Sequence, residues 1–215
     1  MVERSGRFRV YRVVESVPHI NLQAVGEPTL YTVYQSGYGD LQATVDDLRT
    51  GDLVAATVDG DPESDEEAWR LVDAEVVDRV RMDVAVDAEP PDVAREAWTD
   101  GLTEPAVMAL TDDGEPVGVC CVQPREPLPG GAFVPNVLTG LLPMESLLSS
   151  LPAVGEPAAE ALFLDPDPPD ADAYTLPYGV ALLFAESGAA LADRFRETYD
   201  IEAGDSRPTF DPYGV

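Results

Sequence analysis

The sequence contains no lysine: all thirteen of its basic residues are arginine. A P-loop, a Schiff base and a lysine-assisted serine nucleophile each need an amine at a defined place, so these chemistries are excluded. One histidine, His19, and two adjacent cysteines, Cys120 and Cys121, are too few to build a His/Cys zinc site within one chain. No G-x-S-x-G elbow is present, so His19, beside Pro18 in VESVPHINL, has only generic serines to work with and reads as a loop residue. No apolar run approaches the roughly 18 to 20 residues needed to span a bilayer. The opening stretch MVERSGRFRV is charged where a secretory signal turns apolar. The expectation is a cytoplasmic protein with no membrane contact, no metal and no cofactor.

What is present in excess is negative charge. Forty-one acidic residues against thirteen basic ones give a net charge of −28 over 215 residues. In dilute buffer such a chain repels itself and the compact state suffers. At molar salt the Debye length shrinks to about 3 Å and the repulsion largely vanishes. Isoleucine is confined to Ile20 and Ile201. Together these features read as adaptation to a salt-loaded cytoplasm, that of a halophilic archaeon. An acidic balance is then background, and local departures from it carry the information. The clearest is the start, where Arg4, Arg7, Arg9 and Arg12 face only Glu3.

The length suits one large domain or two small ones, and 45% hydrophobic residues supply a core. RFRVYRVVE, PTLYTVYQSG, DLVAATVDG and AWRLVDAEVVDRVRMDVAV read as strands separated by Gly, Pro and Asp turns. They predict a small barrel-like domain over residues 1–88, with the acidic stretch 59–67 as a solvated turn. PPDVAREAWTDG predicts a linking helix within 89–104. An α+β domain follows over 105–202, opening with the hairpin AVMALTDDGEPVGVCCV. Within it Cys120 and Cys121 should point to opposite faces as inert thiols. Asn136 is placed to cap a short helix, VLTGLL, and MESLLSSL predicts a second. PYGVALLFA predicts a buried strand, and SGAALADRFRETYD a C-terminal helix capped by Ser187, with Leu191, Phe195 and Tyr199 toward the core. Residues 203–215 read as an extended tail. The fold class is therefore α+β: a small β-barrel-like first half, then an αβ half with a β-hairpin and a C-terminal helix.

Three surfaces are candidates. Alternation along the first strand puts Arg7, Arg9 and Tyr11 on one face, with Phe8 and Val10 opposite. Arg79 and Arg81 share a face in DRVRMDV. If the two strands are neighbours, four guanidinium groups and a phenol form a platform for phosphates and stacked bases, with Tyr31, Tyr34, Tyr38 and Trp69 available for stacking. The plain alternative is that these arginines pair with the many carboxylates. The second surface is the Pro/Gly-rich loop 123–136, with Gln123, Arg125, Gly130, Gly131 and Asn136. There a Gly-Gly turn before a helix start could present N–H groups to an anion, or the loop could simply cover the hairpin. The third is the carboxylate cluster Asp165, Asp167, Asp170 and Asp172, which lacks the glycine and terminal glutamate of a calcium loop and reads as an acidic linker.

The piece VDDLRTGDLVAATV, followed after an acidic loop by WRLVDAEVV, resembles the closing strands of an OB-type or TRAM-type barrel, which implies binding on an exposed strand face. VQPREPLPGGAFVPNVLTGLLPMESLL and LPYGVALLFAESGAALADRFRETYD resemble an uncharacterised haloarchaeal protein family. That likeness implies the origin but no activity, cofactor or catalytic residue. The leading expectation is a non-catalytic binding or adaptor protein whose first half takes RNA, DNA or a ribonucleoprotein through Arg7, Arg9, Tyr11, Arg79 and Arg81. A protein-interaction module would use the loop 123–136 and expose Phe133 and Leu128. A small enzyme would have to rely on carboxylates, one of them held out of solvent in a deep pocket.

Overall fold

The computed structural model describes residues 1–12 (except the side chain of Arg12), 18–64, 67–142, 144–168 and 171–202. Among them the chain is α+β, with two five-stranded sheets and short helices. The first sheet contains β1 (Val2–Arg12), β2 (His19–Ala24), β3 (Leu30–Tyr34), β4 (Asp52–Gly60) and β5 (Arg70–Arg79), with α1 (Gln42–Asp47) between β3 and β4. Its order is β3-β2-β1-β4-β5, all antiparallel. β1 is long enough to change partners: Val2–Arg9 pair with β4 and Phe8–Arg12 with β2. The sheet therefore curls around Phe8, Val10, Ile20, Leu22, Val33, Val54 and Val58. Val33 makes one parallel bridge to Trp69, just ahead of β5. Among the described residues that is the one backbone bridge between the edges, so the expected barrel is a strongly curled sheet and no closed barrel is found.

The second sheet contains β6 (Arg81–Val86), β7 (Ala106–Asp112), β8 (Glu115–Pro124), β9 (Glu160–Asp165) and β10 (Tyr178–Phe184), in the order β6-β9-β10-β8-β7. Only β6 and β9 run parallel. Every residue of β10 is buried, which is why YGVALLF is apolar without alternation: both faces are covered. One face packs under α3 (Phe133–Leu138) and α4 (Glu145–Ser149), the other under α2 (Asp92–Ala97) and α5 (Ala189–Tyr199). Adjacent Cys121 and Cys120 fall into those two cores, as strand alternation requires, and burial pushes both thiols up to about 12. The β7–β8 hairpin turns on Asp113 and Gly114, both at positive φ, as a two-residue primed turn demands.

Several expectations are corrected. DRVRMDV is two strands, because Val80, 1% exposed, is drawn into the core under α3 and α4 and the chain changes sheets there. The first sheet thus ends at Arg79, and β6 belongs to the second. His19 begins β2, and EALFLD forms β9. Asn136 lies inside α3 and donates Nδ2 back to the carbonyls of Pro129 and Ala132 instead of capping the helix. Ser187 sits in a short 3-10 turn ahead of α5 and makes no cap; along α5 it is Ala192 and Arg196 that are most buried, while Leu191, Phe195 and Tyr199 are half-buried against the same core. The tail from Ala203 lies outside the described residues. Among those described, no helix is long and apolar enough to cross a membrane.

Candidate functional site

Each expected cationic residue has a definite place, and most are spent on carboxylates. Arg9, 2% exposed, grips Glu145 of α4 through two hydrogen bonds, Nε to Oε2 at 2.9 Å and Nη2 to Oε1 at 3.0 Å. Its Nη1 donates to the Gly51 carbonyl at 2.9 Å. Tyr11, on the same face, is fully buried, and burial in a site shared with Glu145 raises its phenol despite the nearby Arg9. Arg79 reaches buried Asp52 at 2.6 Å, and Arg81, on the other sheet, pairs with Glu160. β4 lies between β1 and β5, so the four-guanidinium platform does not form. Alternation assigned the faces correctly; the second half of the chain covers one of them.

The loop 123–136 is held from beneath by Arg125. Its Nε donates to the Leu176 carbonyl at 2.8 Å and Nη1 to that of Gly131 at 3.0 Å, while Nη2 meets Asp165 at 2.5 Å and Asp167 at 3.1 Å. The guanidinium lies 3.8 Å from the centroid of the Tyr174 ring. Asp165 Oδ2 also faces the Val134 N–H at the start of α3, so the anion seat expected after Gly130-Gly131 is filled by the chain's own carboxylate. Gln123 is buried and donates to the Pro124 carbonyl. Asp165 and Asp167 are therefore buried counter-ions and not linker residues; Asp172 is exposed and Asp170 lies outside the described residues. Among the described residues no group of acidic, His and Cys side chains is arranged to hold a metal. Phe133, expected on the surface, is fully buried against Phe163, while Leu128 is half-buried. Above this loop a cleft of about 810 Å³ opens between Trp98, Leu102, Leu128 and Tyr174.

Charge accounting separates the two halves. Among the described residues, the buried charged side chains are all paired: Arg9 with Glu145, Asp52 with Arg79, Arg125 with Asp165 and Asp167, Asp83 with Arg196. Arg95 and Arg194 hold carboxylates at the surface. Among the described residues Arg4, Arg7, Arg49 and Arg70 hold none, and all four belong to the first half.

Arg4 and Arg7 border a cleft of about 680 Å³ with Tyr31, Asp61, Ser64 and Trp69. The cleft follows from the partner change of β1: before Phe8 the strand has β4 on one edge only, and its other edge meets the turn after β2, where Val25 N–H bonds the Arg7 carbonyl at 2.9 Å. The floor is aromatic. Phe8 and Tyr31 meet edge to face at 5.6 Å, and Tyr31 and Trp69 at 4.9 Å. Alternation puts Arg4 on the side of Phe8 and Arg7 on the outer face, so the two border the cleft from opposite faces of β1. Arg70 lies nearby over Tyr34 and Tyr38, 5.6 and 5.2 Å from their centroids. The locally cationic opening of the sequence and the stacking candidates Tyr31 and Trp69 do come together, at Arg4 and Arg7 and not at Arg9. Arg4 is visible as part of that cationic run; Gly26 and Pro28 mark the turn that closes the cleft, but β2 before it reads as a loop, so the closure does not show.

A protein-family model described as a family of unknown function (DUF6663) matches residues 1–207, so the chain belongs to that family. No curated protein matches it. No solved structure does either.

Proposed function

We propose that this protein is a non-catalytic binding protein of a salt-loaded archaeal cytoplasm, and that its first half is an OB-type barrel taking single-stranded RNA or DNA in the cleft of Arg4, Arg7, Tyr31 and Trp69. The observation that carries the reading is the distribution of unpaired cations. Among the described residues the arginines of the second half are all held by carboxylates, while two of the first half that are not, Arg4 and Arg7, line one cleft with the half-buried rings of Tyr31 and Trp69. The barrel assignment draws support from the strand order, the helix between β3 and β4, and the parallel contact of Val33 with Trp69, features of a partly open five-stranded Greek key.

Phosphate attraction alone weakens steeply with salt. A site working at molar salt must therefore draw on stacking, worth about 1–3 kcal/mol per base. Trp69 and Tyr31 are the groups for that. The pairing of the buried carboxylates supports the non-catalytic part, since a carboxylate saturated by a guanidinium is a poor proton acceptor. The direct test is to purify the protein from salt-adapted cells in about 2 M KCl, where surface charge is screened. Co-purifying nucleic acid, absent with the Arg4→Glu/Arg7→Glu variant, is the expected result; protein free of nucleic acid sinks the reading. A protein partner would instead fit the cleft beside Trp98 and Tyr174, and its recovery, independent of Arg4 and Arg7, favours the loop 123–136 as the interaction site.

A further inference from the structure

The outer face of β1 and β2 is polar, yet it is buried. Arg9, Tyr11, Asn21 and Gln23 all point away from the first core and all are buried, and the second half meets the first three of them. Glu145 takes Arg9, the Thr139 carbonyl takes the Asn21 amide at 2.8 Å, and Gly140 lies flat against the Tyr11 ring, where a Cβ would come within 2.9 Å of Cδ2. The fit is incomplete: among the described residues Tyr11 Oη and Gln23 Oε1 are buried without a hydrogen-bond partner. Unmet polar atoms weaken a closed interface, and an apolar face would pack better there. A guanidinium, a phenol and two carboxamides are instead the groups that hold phosphates, stack on bases and bond their edges. The bidentate carboxylate of Glu145 on Arg9 has the geometry of a phosphate on the same fork.

We infer that α3, the turn Thr139–Leu142 and α4 are a built-in occupant of a second nucleic-acid surface, formed by Arg9, Tyr11, Asn21 and Gln23, and that single-stranded nucleic acid competes with them for it. The inference rests on the nucleic-acid reading above and extends it. Arg7, exposed on the face of Arg9 and Tyr11, is the point where the open cleft meets the covered surface. A strand anchored at Arg7 lies next to the edge of the cover. Competition then follows from population: apparent affinity is the intrinsic affinity reduced by the fraction of molecules with the face uncovered.

Glu145→Gln keeps the shape of the cover and removes the charge that holds Arg9. In titrations of the full chain with a labelled oligouridylate in high KCl, this variant should bind at least tenfold more tightly than the wild type. Adding Arg9→Gln should cancel the gain. In the wild-type protein, saturating oligouridylate should speed hydrogen exchange in peptides covering α3 and α4 and slow it in β1, an effect a purely structural cover would not show. If Glu145→Gln binds as the wild type does while Arg4→Glu/Arg7→Glu still abolishes binding, the inference is overturned and the cleft reading stands. Binding by no variant overturns both. If Glu145→Gln does not fold, unchanged exchange in α3 and α4 of the wild type decides against the inference.

Discussion

Arg9 and Glu145, 136 positions apart in the chain, meet through two parallel hydrogen bonds at 2.9 and 3.0 Å and tie the curled first sheet to the helices that cover the second. Ser149 adds a 2.7 Å hydrogen bond to the same carboxylate. Removing one partner strands a buried charge. Glu145→Ala should cost about 3–5 kcal/mol, whereas replacing both, Arg9→Met with Glu145→Leu, should come within about 1 kcal/mol of the wild type. Urea unfolding in high KCl checks both; equal losses for the single and double variants would show that the pair does not link the halves.

Arg125 is the corresponding fixed point of the second half. Beneath it, burial acts to raise Asp167, but the Thr175 hydroxyl and N–H, the Leu176 N–H and the Arg125 charge outweigh it and leave the carboxyl below its ordinary 3.8. A lowered folded value means stabilisation that is complete above 3.8 and is lost as pH falls through the lowered value. Asp167→Asn should therefore be destabilised relative to wild type at neutral pH by on the order of 3 kcal/mol, with the gap closing below pH 3.8. Urea melts at pH 7 and pH 3 measure it, and a gap that widens in acid contradicts the assignment.

Gly51 sits where three strands converge: its N–H bonds the Val10 carbonyl, and its own carbonyl accepts from Val80 N–H and from Arg9. Its φ is +97°, and a Cβ there would collide with the Val80 carbonyl oxygen. Gly51→Ala should cost on the order of 3 kcal/mol through strain and backbone displacement, seen as a lower thermal midpoint. A midpoint equal to wild type would mean that the crossing tolerates a side chain.

Cys120 and Cys121 lie on opposite faces of β8, in two different cores, and burial holds both thiols near 12. Neither should react with iodoacetamide at pH 8 in the native protein, since the thiolate is the nucleophile. Both should react once the chain is unfolded. Rapid native labelling would indicate an opening of the second sheet that its packing does not suggest.

Local signals carried much of the architecture. The Asp-Gly turn fixed the β7–β8 hairpin, the continuous apolar run fixed β10, and adjacent cysteines on a strand fixed their opposite faces. What the sequence could not supply was the covering of each face. Arg9 and Tyr11 share a side by alternation, but their burial depends on Glu145 and Gly140, more than 120 positions away. Asp165 and Asp167 stand in an acidic, proline-rich stretch like any solvated linker, and only the return of Arg125 from another strand makes them counter-ions. β9 is hidden for a related reason: EALFLD is a short apolar run with no periodicity to tell strand from helix, and its pairing with β6 and β10 is what makes it a strand.

If the cleft of Arg4, Arg7, Tyr31 and Trp69 takes a stacked base, Trp69 itself reports it. With Trp98→Phe, Trp69 becomes the sole tryptophan, and its fluorescence can be titrated with a single-stranded oligonucleotide in about 2 M KCl, where long-range charge effects are screened. The expected result is saturable quenching that disappears in the added Arg4→Glu/Arg7→Glu background and is unchanged by Arg95→Glu, a surface arginine of the second half. Flat fluorescence across the titration, or quenching indifferent to Arg4 and Arg7, would contradict it.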